Sequence, residues 1–500
     1  MKRLIKHLTT AAGIFATALC TMVSCTKEEK PEQTTIPEEA VFIKSVYVNG
    51  NVAEYDPAKM TFTVTVPTST DFRQTKISYS YSASEIYADG VLLPESGATL
   101  DLSKPVKLTI TCLDVTKDYT LVARNTGLPV VRITTPGGRD ITSKTVWMEG
   151  ADIKIELPDG TVDLEGKMSI RGRGNSTWNY PKKPYAIKLD EKAEVLGMPK
   201  HKRWVLLANW KDRTLLRNDA AFWLSRHTGL EYTVKGQFVE LELNGAHKGN
   251  YYLCEQIKID KNRVNVGKGG VLMELDTYFD EVNKFRSPYF NLPWQFKEPD
   301  EDELTPEQFA EFKNFVTELE ALLMDEKRVR NHEYEQYLDV DSAIDFMFVN
   351  ELATNTDFYS SWPSAGPHSC YMYKDKGGTL MTGPVWDFDY HGFLPGLANQ
   401  WAGATKTLYY KALYKDEKFR NRMYEKWEEE KAVLQKLPDY IDEMAEKIRL
   451  SEAINHNMWP IVNNPENGDE NMSHSAAVER IKEGFTKKLD WMDKHLRDLR

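Results

Sequence analysis

Thr382-Gly383-Pro384-Val385-Trp386-Asp387-Phe388-Asp389-Tyr390 is the stretch from which the rest of the chain is read. Two carboxylates stand two residues apart among aromatic residues, just after a Gly-Pro break. In an extended strand, residues i and i+2 point to the same face, so Asp387 and Asp389 would converge on one spot. Like charges held that close repel unless a cation or a positive side chain sits between them. A hard cation such as Mg²⁺ takes carboxylate oxygens and usually bridges them to phosphate. Asp-x-Asp alone is equally at home in a solvated surface turn. Trp386, Phe388 and Tyr390 favour a buried or cleft setting, and with it a metal site formed by Asp387 and Asp389.

Upstream, Asn355-Thr356-Asp357-Phe358-Tyr359-Ser360 lies between a helix ending near Ala353 and a strand at Met372-Tyr373. Asn355 and Asp357 are two apart, so both can address one cleft. Asn355 is equally suited to a left-handed helix C-cap. An acid at a helix C-terminus is disfavoured by the dipole, so Asp357 needs another reason to be there. Earlier still, Met168-Ser169-Ile170-Arg171-Gly172-Arg173-Gly174-Asn175-Ser176-Thr177-Trp178 leads through Pro181 to Lys182-Lys183-Pro184-Tyr185-Ala186-Ile187-Lys188-Leu189. Strand, glycine-rich turn and strand form a loop whose backbone N–H groups can approach phosphate, although Gly-x-Gly by itself is commonly just a hairpin. Lys188 follows Tyr-Ala-Ile much as the ATP-contacting lysine of protein kinases follows Val-Ala-Ile. Lys183 competes with it, since alternation puts odd and even positions on opposite faces.

Residues 204–209 read as a strand, 214–228 as a helix ended by Gly229, and 238–243 with 249–257 as a hairpin around Asn244-Gly245. Residues 270–276 form another strand. Beyond 304 the periodicity turns helical, predicting helices over 306–324, 341–354, 416–435, 438–450 and 479–499. A strand-rich lobe followed by a helix-rich lobe is an α+β fold over 128–500, opened by Leu128-Pro129. Residues 41–125 differ. Short alternating runs separated by Gly, Pro and Asp predict a small β-sandwich, which resembles the immunoglobulin-like modules that precede catalytic domains in many surface lipoproteins. It carries no catalytic grouping and reads as a spacer or binding module.

At the N-terminus, Lys2, Arg3 and Lys6 precede a short apolar run from Leu8 to Val23. That is a secretory signal over 1–24, too short and wrongly flanked for a spanning helix. Met22-Val23-Ser24-Cys25 resembles a bacterial lipobox, which would make Cys25 the lipidated first residue of the mature protein. An ordinary cleaved signal with an incidental cysteine is the alternative. Thr26-Lys27-Glu28-Glu29-Lys30 resembles the charged tag of surface-exposed Bacteroidetes lipoproteins, and 25–40 reads as a flexible tether. The expected location is the cell envelope, with the lipid in the outer membrane and the protein facing outward. Across the 500 residues, 41% hydrophobic and 11% aromatic content is ample for a sizeable core. A net charge of −11 offers no bulk attraction for nucleic acid. Cys112, Cys254 and Cys370 are far apart and lack CxxC spacing, so neither a zinc site nor a disulfide framework is indicated.

Six motifs occur in one order: Arg171–Trp178, the Lys183–Lys188 strand, Leu207-Ala208-Asn209-Trp210 with Leu216-Arg217-Asn218, Gly249-x-Tyr251-x-Leu253-x-Glu255-Gln256, Asn355-x-Asp357, and Pro384-x-Trp386-Asp387-x-Asp389. Together they resemble the CotH family, spore-coat-type kinases with an atypical two-lobed kinase fold, over roughly 130–500. The resemblance implies ATP- and Mg²⁺-dependent phosphorylation of serine or threonine in a protein substrate whose identity it does not give. It implies that Asp357 serves the chemistry, that Asp387 and Asp389 serve the metal, and that Lys188, Arg171, Arg173 and Glu255 serve the nucleotide. Extra residues between Asp357 and Asp387, including 362–367, depart from the family pattern and leave the acceptor open. A carboxylate base beside a metal would also suit a metal-dependent phosphoesterase or glycan-active enzyme. A non-catalytic surface adhesin or scaffold with a decayed kinase fold is the third reading.

Overall fold

The structure, a computed structural model, describes residues 36–361, 364–461 and 467–500. Cys25, the signal segment 1–24 and the tether up to residue 35 lie outside the described residues.

Between Phe42 and Asn125, ten strands form a four-stranded and a six-stranded sheet. Alternation decides which side chains go inward: in Thr61–Val66 the core takes Phe62, Val64 and Val66, while the threonines between them stay partly exposed. Val46, Val48 and Ile77 of one sheet share a single core with Val64, Leu108 and Leu121 of the other. Asn49 and Gly50, with φ of 47° and 83°, make the tight turn that their residue types favour.

From Val130, seven strands close into a barrel. Their order around it is Val130–Thr134, Met148–Glu156, Val162–Gly172, Tyr185–Val195, Met198–Leu207, Ala246–Glu255 and Gly236–Leu243, and the last pairs in parallel with the first. Tyr185, Ile187 and Leu189 point into the barrel with Ile170, Trp204 and Leu253. Ala186 and Val205, of opposite parity, face outward onto a cleft. The predicted hairpin turn is present, with Asn244 and Gly245 both at positive φ.

A second, five-stranded sheet runs Lys284–Arg286, Pro293–Glu298, Val271–Leu275, Cys370–Lys374, Leu380–Thr382. Every residue of Val271–Leu275 and Cys370–Lys374 is buried. Helices Arg217–Arg226, Pro306–Leu323, Val340–Leu352, Glu417–Leu434, Leu437–Met458 and His474–His495 pack around this sheet and against the barrel. Their starts follow their caps: a Thr305/Gln308 capping box, and Asp339, Asp416 and Ser473 side chains accepting backbone N–H groups. The last helix begins at His474 rather than the expected 479 because Ser473 caps it. Leu437–Met458 runs past the expected 450 because Ser451, Ile454 and Asn455 bury against the barrel, where Asn455 Oδ1 accepts the Asn250 N–H at 3.1 Å. The whole is a mixed α+β fold of several sheets and helices. Among the described residues no helix is long and apolar enough to cross a membrane.

Candidate active site

A cleft of about 760 Å³ separates the outer face of the barrel from the five-stranded sheet and the loops that leave it. The barrel side supplies Arg171, Arg173, Ala186, Val205 and Leu207; the other side supplies Asp276, Asp357, Asp387 and Asp389.

The strand ends at Thr382, and 383–390 is irregular. Strand alternation is therefore not what brings Asp387 and Asp389 together, which corrects the geometric premise drawn from their spacing. Asp387 instead takes a left-handed φ of 69°, and the next N–H, of Phe388, is fastened to Asn218 Oδ1 at 2.8 Å. A non-glycine residue in that region costs energy and persists only where its surroundings hold it. Here the holders are visible: Trp386 and Phe388 are buried in the core, and Asn218 is itself tied to Asn209 at 3.1 Å. The Asp387 and Asp389 carboxyls lie close enough for each to act on the other. Burial, then the charge of Asp387, pushes Asp389 well above the carboxylate range. Burial also raises Asp387, against the opposing pull of Arg173.

Arg173 brings the glycine-rich loop to this point, its guanidinium lying 5.2 Å from the centroid of the Trp386 ring. A Cβ at Gly172 would run into the Trp178 ring, and Gly174 holds a φ of 82°. The glycines thus let the loop fold back on its own tryptophan. The N–H groups of Gly172 and Arg173 are already bonded, to Ser143 O at 2.8 Å and Pro184 O at 3.3 Å. The expectation that loop amides cradle phosphate is corrected for these two; what the loop turns toward the acids is a guanidinium.

Asp357 sits on a short 3-10 turn, Thr356–Tyr359, whose start is capped by Asn355 Oδ1 accepting the Asp357 N–H at 2.9 Å. The left-handed residue after the helix is Thr354, so Asn355 is an N-cap and not the C-cap considered from sequence. Burial first, then the charge of Asp387, raises Asp357 from its ordinary value to about 7. Beside it, His368 Nδ1 lies 3.1 Å from Asp276 Oδ1, and the His368 N–H donates to the Asp357 carbonyl at 2.8 Å.

Two expected nucleotide contacts lie elsewhere. Lys188 is exposed and is not on the cleft wall; it pairs across the sheet with Ser169 and Arg203, one row beyond the cleft-facing Ala186. Lys183 donates to Trp178 O at 2.6 Å. Glu255 shares the inward parity of Tyr251 and Leu253, so it is buried away from the cleft, accepting from Tyr232 OH at 3.0 Å and Lys235 N at 3.1 Å. Its neighbour Gln256 lines the cleft instead.

Lys211 and Lys297 line the cleft and were not singled out from sequence. Lys211 lies 4.5 Å from the Tyr180 ring centroid, within the field of Asp389; Lys297 bridges Glu274 at 3.0 Å and Glu281 at 2.5 Å. Lys211 adjoins the quoted Asn209-Trp210 pair, which was the available signal; Lys297 had none. Arg217 is also structural support. Fully buried between Asp212 and Asp469, it donates to Gly392 O at 2.8 Å; burial lowers its pKa, but the two carboxylates more than offset this and the net shift is upward.

Among the described residues, no group of three or more His, Cys, Asp and Glu side chains is arranged to hold a metal ion by itself. Mg²⁺ does not require one, since it is commonly bound by one or two carboxylates with phosphate oxygens completing the shell. Asp387 and Asp389 are paired hard oxygen donors whose mutual repulsion a divalent cation would relieve, so the donor set fits.

The CotH kinase protein family matches residues 170–492. No curated relative matches. Among solved structures, a candidate glycoside hydrolase of Bacteroides thetaiotaomicron aligns at 18% identity with a TM-score of 0.16, covering 34% of this chain and 52% of that one. This chain thus spans about half of that protein's length, and a similarity at this level carries no argument about fold or activity.

Proposed function

Because the chain belongs to the CotH kinase protein family, we propose that its cleft transfers the γ-phosphoryl group of ATP to a hydroxyl acceptor in the presence of Mg²⁺. The observation that carries the reading is the convergence of Arg173, Asp357, Asp387 and Asp389 on one cleft, although they lie up to 216 residues apart in sequence. Phosphoryl transfer asks the protein for positioning and charge rather than covalent chemistry.

Asp387 and Asp389 would hold the metal, which when bound neutralises charge on the phosphates. Arg173 and Lys211 add positive charge at the same place, taking the role that sequence had given to Lys188. Ala186, Val205 and Leu207 form an apolar wall suited to a nucleobase. Asp357 stands where it can accept the acceptor's proton. The acceptor oxygen gains the bond to phosphorus, the bond from phosphorus to the ADP oxygen breaks, and the proton passes to the Asp357 carboxylate. Family membership implies a serine or threonine hydroxyl of a protein. An intact charged cleft favours a working enzyme over a decayed scaffold.

The barrel with its adjoining helix-rich part forms the two-lobed kinase-like unit, 128–500, of this reading, and the strands of 41–125 its immunoglobulin-like module. Lipid at Cys25 would hold both at the outer membrane, facing outward. A Cys25→Ser protein would then leave the membrane fraction; its persistence there after a high-salt wash refutes the anchor. Calorimetry of the full-length protein with ATP, with and without Mg²⁺, tests the kinase reading, and absence of Mg²⁺-dependent ATP binding overturns it.

A further inference from the structure

The acid end of the cleft is ringed by tyrosines that the phosphotransfer reading does not use. Tyr278 and Tyr390, 37% and 38% exposed, line the cleft together with the partly buried Tyr180. Each ring is held by a neighbour. Tyr390 stacks on His391 with centroids 3.8 Å apart, Tyr278 meets His368 edge-on at 5.5 Å, and Tyr180 carries Lys211 over its face at 4.5 Å. The three rings line the same cleft as the carboxylates, and each phenol lies within the field of at least one of them: Tyr180 of Asp389, Tyr278 of Asp357 and Asp387, and Tyr390 of Asp357.

On the neighbouring wall, Ser360 and Gly366 exchange backbone bonds of 2.9 and 3.0 Å, and Pro367 O accepts the Thr277 N–H at 3.2 Å. Ser360 and His368 are thereby set into the cleft wall beside Asp357. A compact acceptor with an apolar face and a rim of hydroxyls fits pre-oriented rings beside carboxylates. Rings take up its C–H face, and carboxyl oxygens accept from its O–H groups.

We infer that the acceptor is a carbohydrate hydroxyl, with Tyr278, Tyr390 and Tyr180 as the platform that seats the sugar ring beside Asp357. This rests on the phosphotransfer reading and replaces its acceptor. ATP's terminal phosphorus–oxygen bond breaks, a sugar oxygen–phosphorus bond forms, the sugar proton passes to Asp357, and ADP departs.

The test uses full-length protein, chitotetraose and cellotetraose as probes, and a serine/threonine peptide library as the competing acceptor. Binding of each is followed by calorimetry, and transfer from radiolabelled ATP by chromatography of sugar phosphate. The expected result is transfer to an oligosaccharide. Tyr278→Ala and Tyr390→Ala should each weaken sugar binding about tenfold while ATP affinity holds, and Tyr278→Phe, which keeps the ring, should restore most of it. ATP binding and peptide phosphorylation without either sugar being bound or phosphorylated overturn the inference and leave the kinase reading standing. Sugar binding without ATP binding overturns the kinase reading and the transfer step with it.

Discussion

Asp387 and Asp389 are held in place by residues that do no chemistry, Asn218, Trp386 and Phe388. If the two aspartates share Mg²⁺, Asp387→Asn or Asp389→Asn keeps the volume but removes an anionic ligand, and Mg²⁺-dependent ATP affinity should fall about tenfold or more. Asp357→Asn should leave that affinity within about twofold and reduce transfer by about 10² or more, since a proton acceptor acts mainly in the chemical step. Calorimetry and a transfer assay separate these outcomes; three variants that fold and behave like the parent place the site elsewhere. Arg173→Ala should weaken ATP binding more than Lys188→Ala, and the opposite ranking would mean that Lys188 swings into the cleft. The pattern of strand 185–195 was legible in sequence, but its end point relative to the cleft was not. Ala186 and Lys188 share a face, and only the tertiary position of the other wall decides which of them lines the gap. The aspartates were legible by residue type and aromatic company, while the left-handed turn that joins them was not.

At the scale of elements, local signals served where a cap or turn residue dictates geometry. Asn244-Gly245 marks a boundary that the chain observes, and the helix starts expected at 306 and 341 fall where the structure shows Thr305 with Gln308, and Asp339, capping them. They failed where burial overrides propensity, as in the last turns of Leu437–Met458. The start of Arg217–Arg226 joins element to site, because its second residue, Asn218, accepts the buried Phe388 N–H and donates to Asn209. Asn218→Ala leaves that N–H without a partner in the core, at a cost of about 1–3 kcal/mol. Thermal unfolding should occur several degrees lower, and Mg²⁺ should be needed at higher concentration to support ATP binding. A variant with parental melting and parental Mg²⁺ dependence would show that Asn218 positions nothing. The Leu-Arg-Asn motif was visible in sequence; that its asparagine serves the aspartate loop, 170 residues away, could only come from the fold.

At the scale of the whole molecule, the N-terminal sheets meet the barrel at a buried carboxyl. Glu240 Oε2 accepts the Thr68 N–H at 2.7 Å, and Ser451 of a C-terminal helix approaches at 3.4 Å; Arg132 reaches Ser69 O at 3.4 Å nearby. No local pattern could reveal a contact spanning 172 residues. Burial raises the Glu240 carboxyl from 4.5 to about 7, against the bonds that favour its ionised form. Between these values the folded protein holds a proton that the unfolded chain has released, so stability falls as pH rises across this window. The contribution is complete below pH 4.5, is lost as pH rises through 7, and amounts to about 3 kcal/mol at most. Glu240→Gln keeps the shape and an acceptor for Thr68 but cannot ionise. The urea midpoint of the parent should drop from pH 5 to pH 8, and that of the variant should drop less. Asp357 and Glu430, also raised to about 7, titrate in both proteins, so the difference between the two slopes reports Glu240 alone. Equal slopes would mean that Glu240 is ionised in the folded state and that the junction admits water.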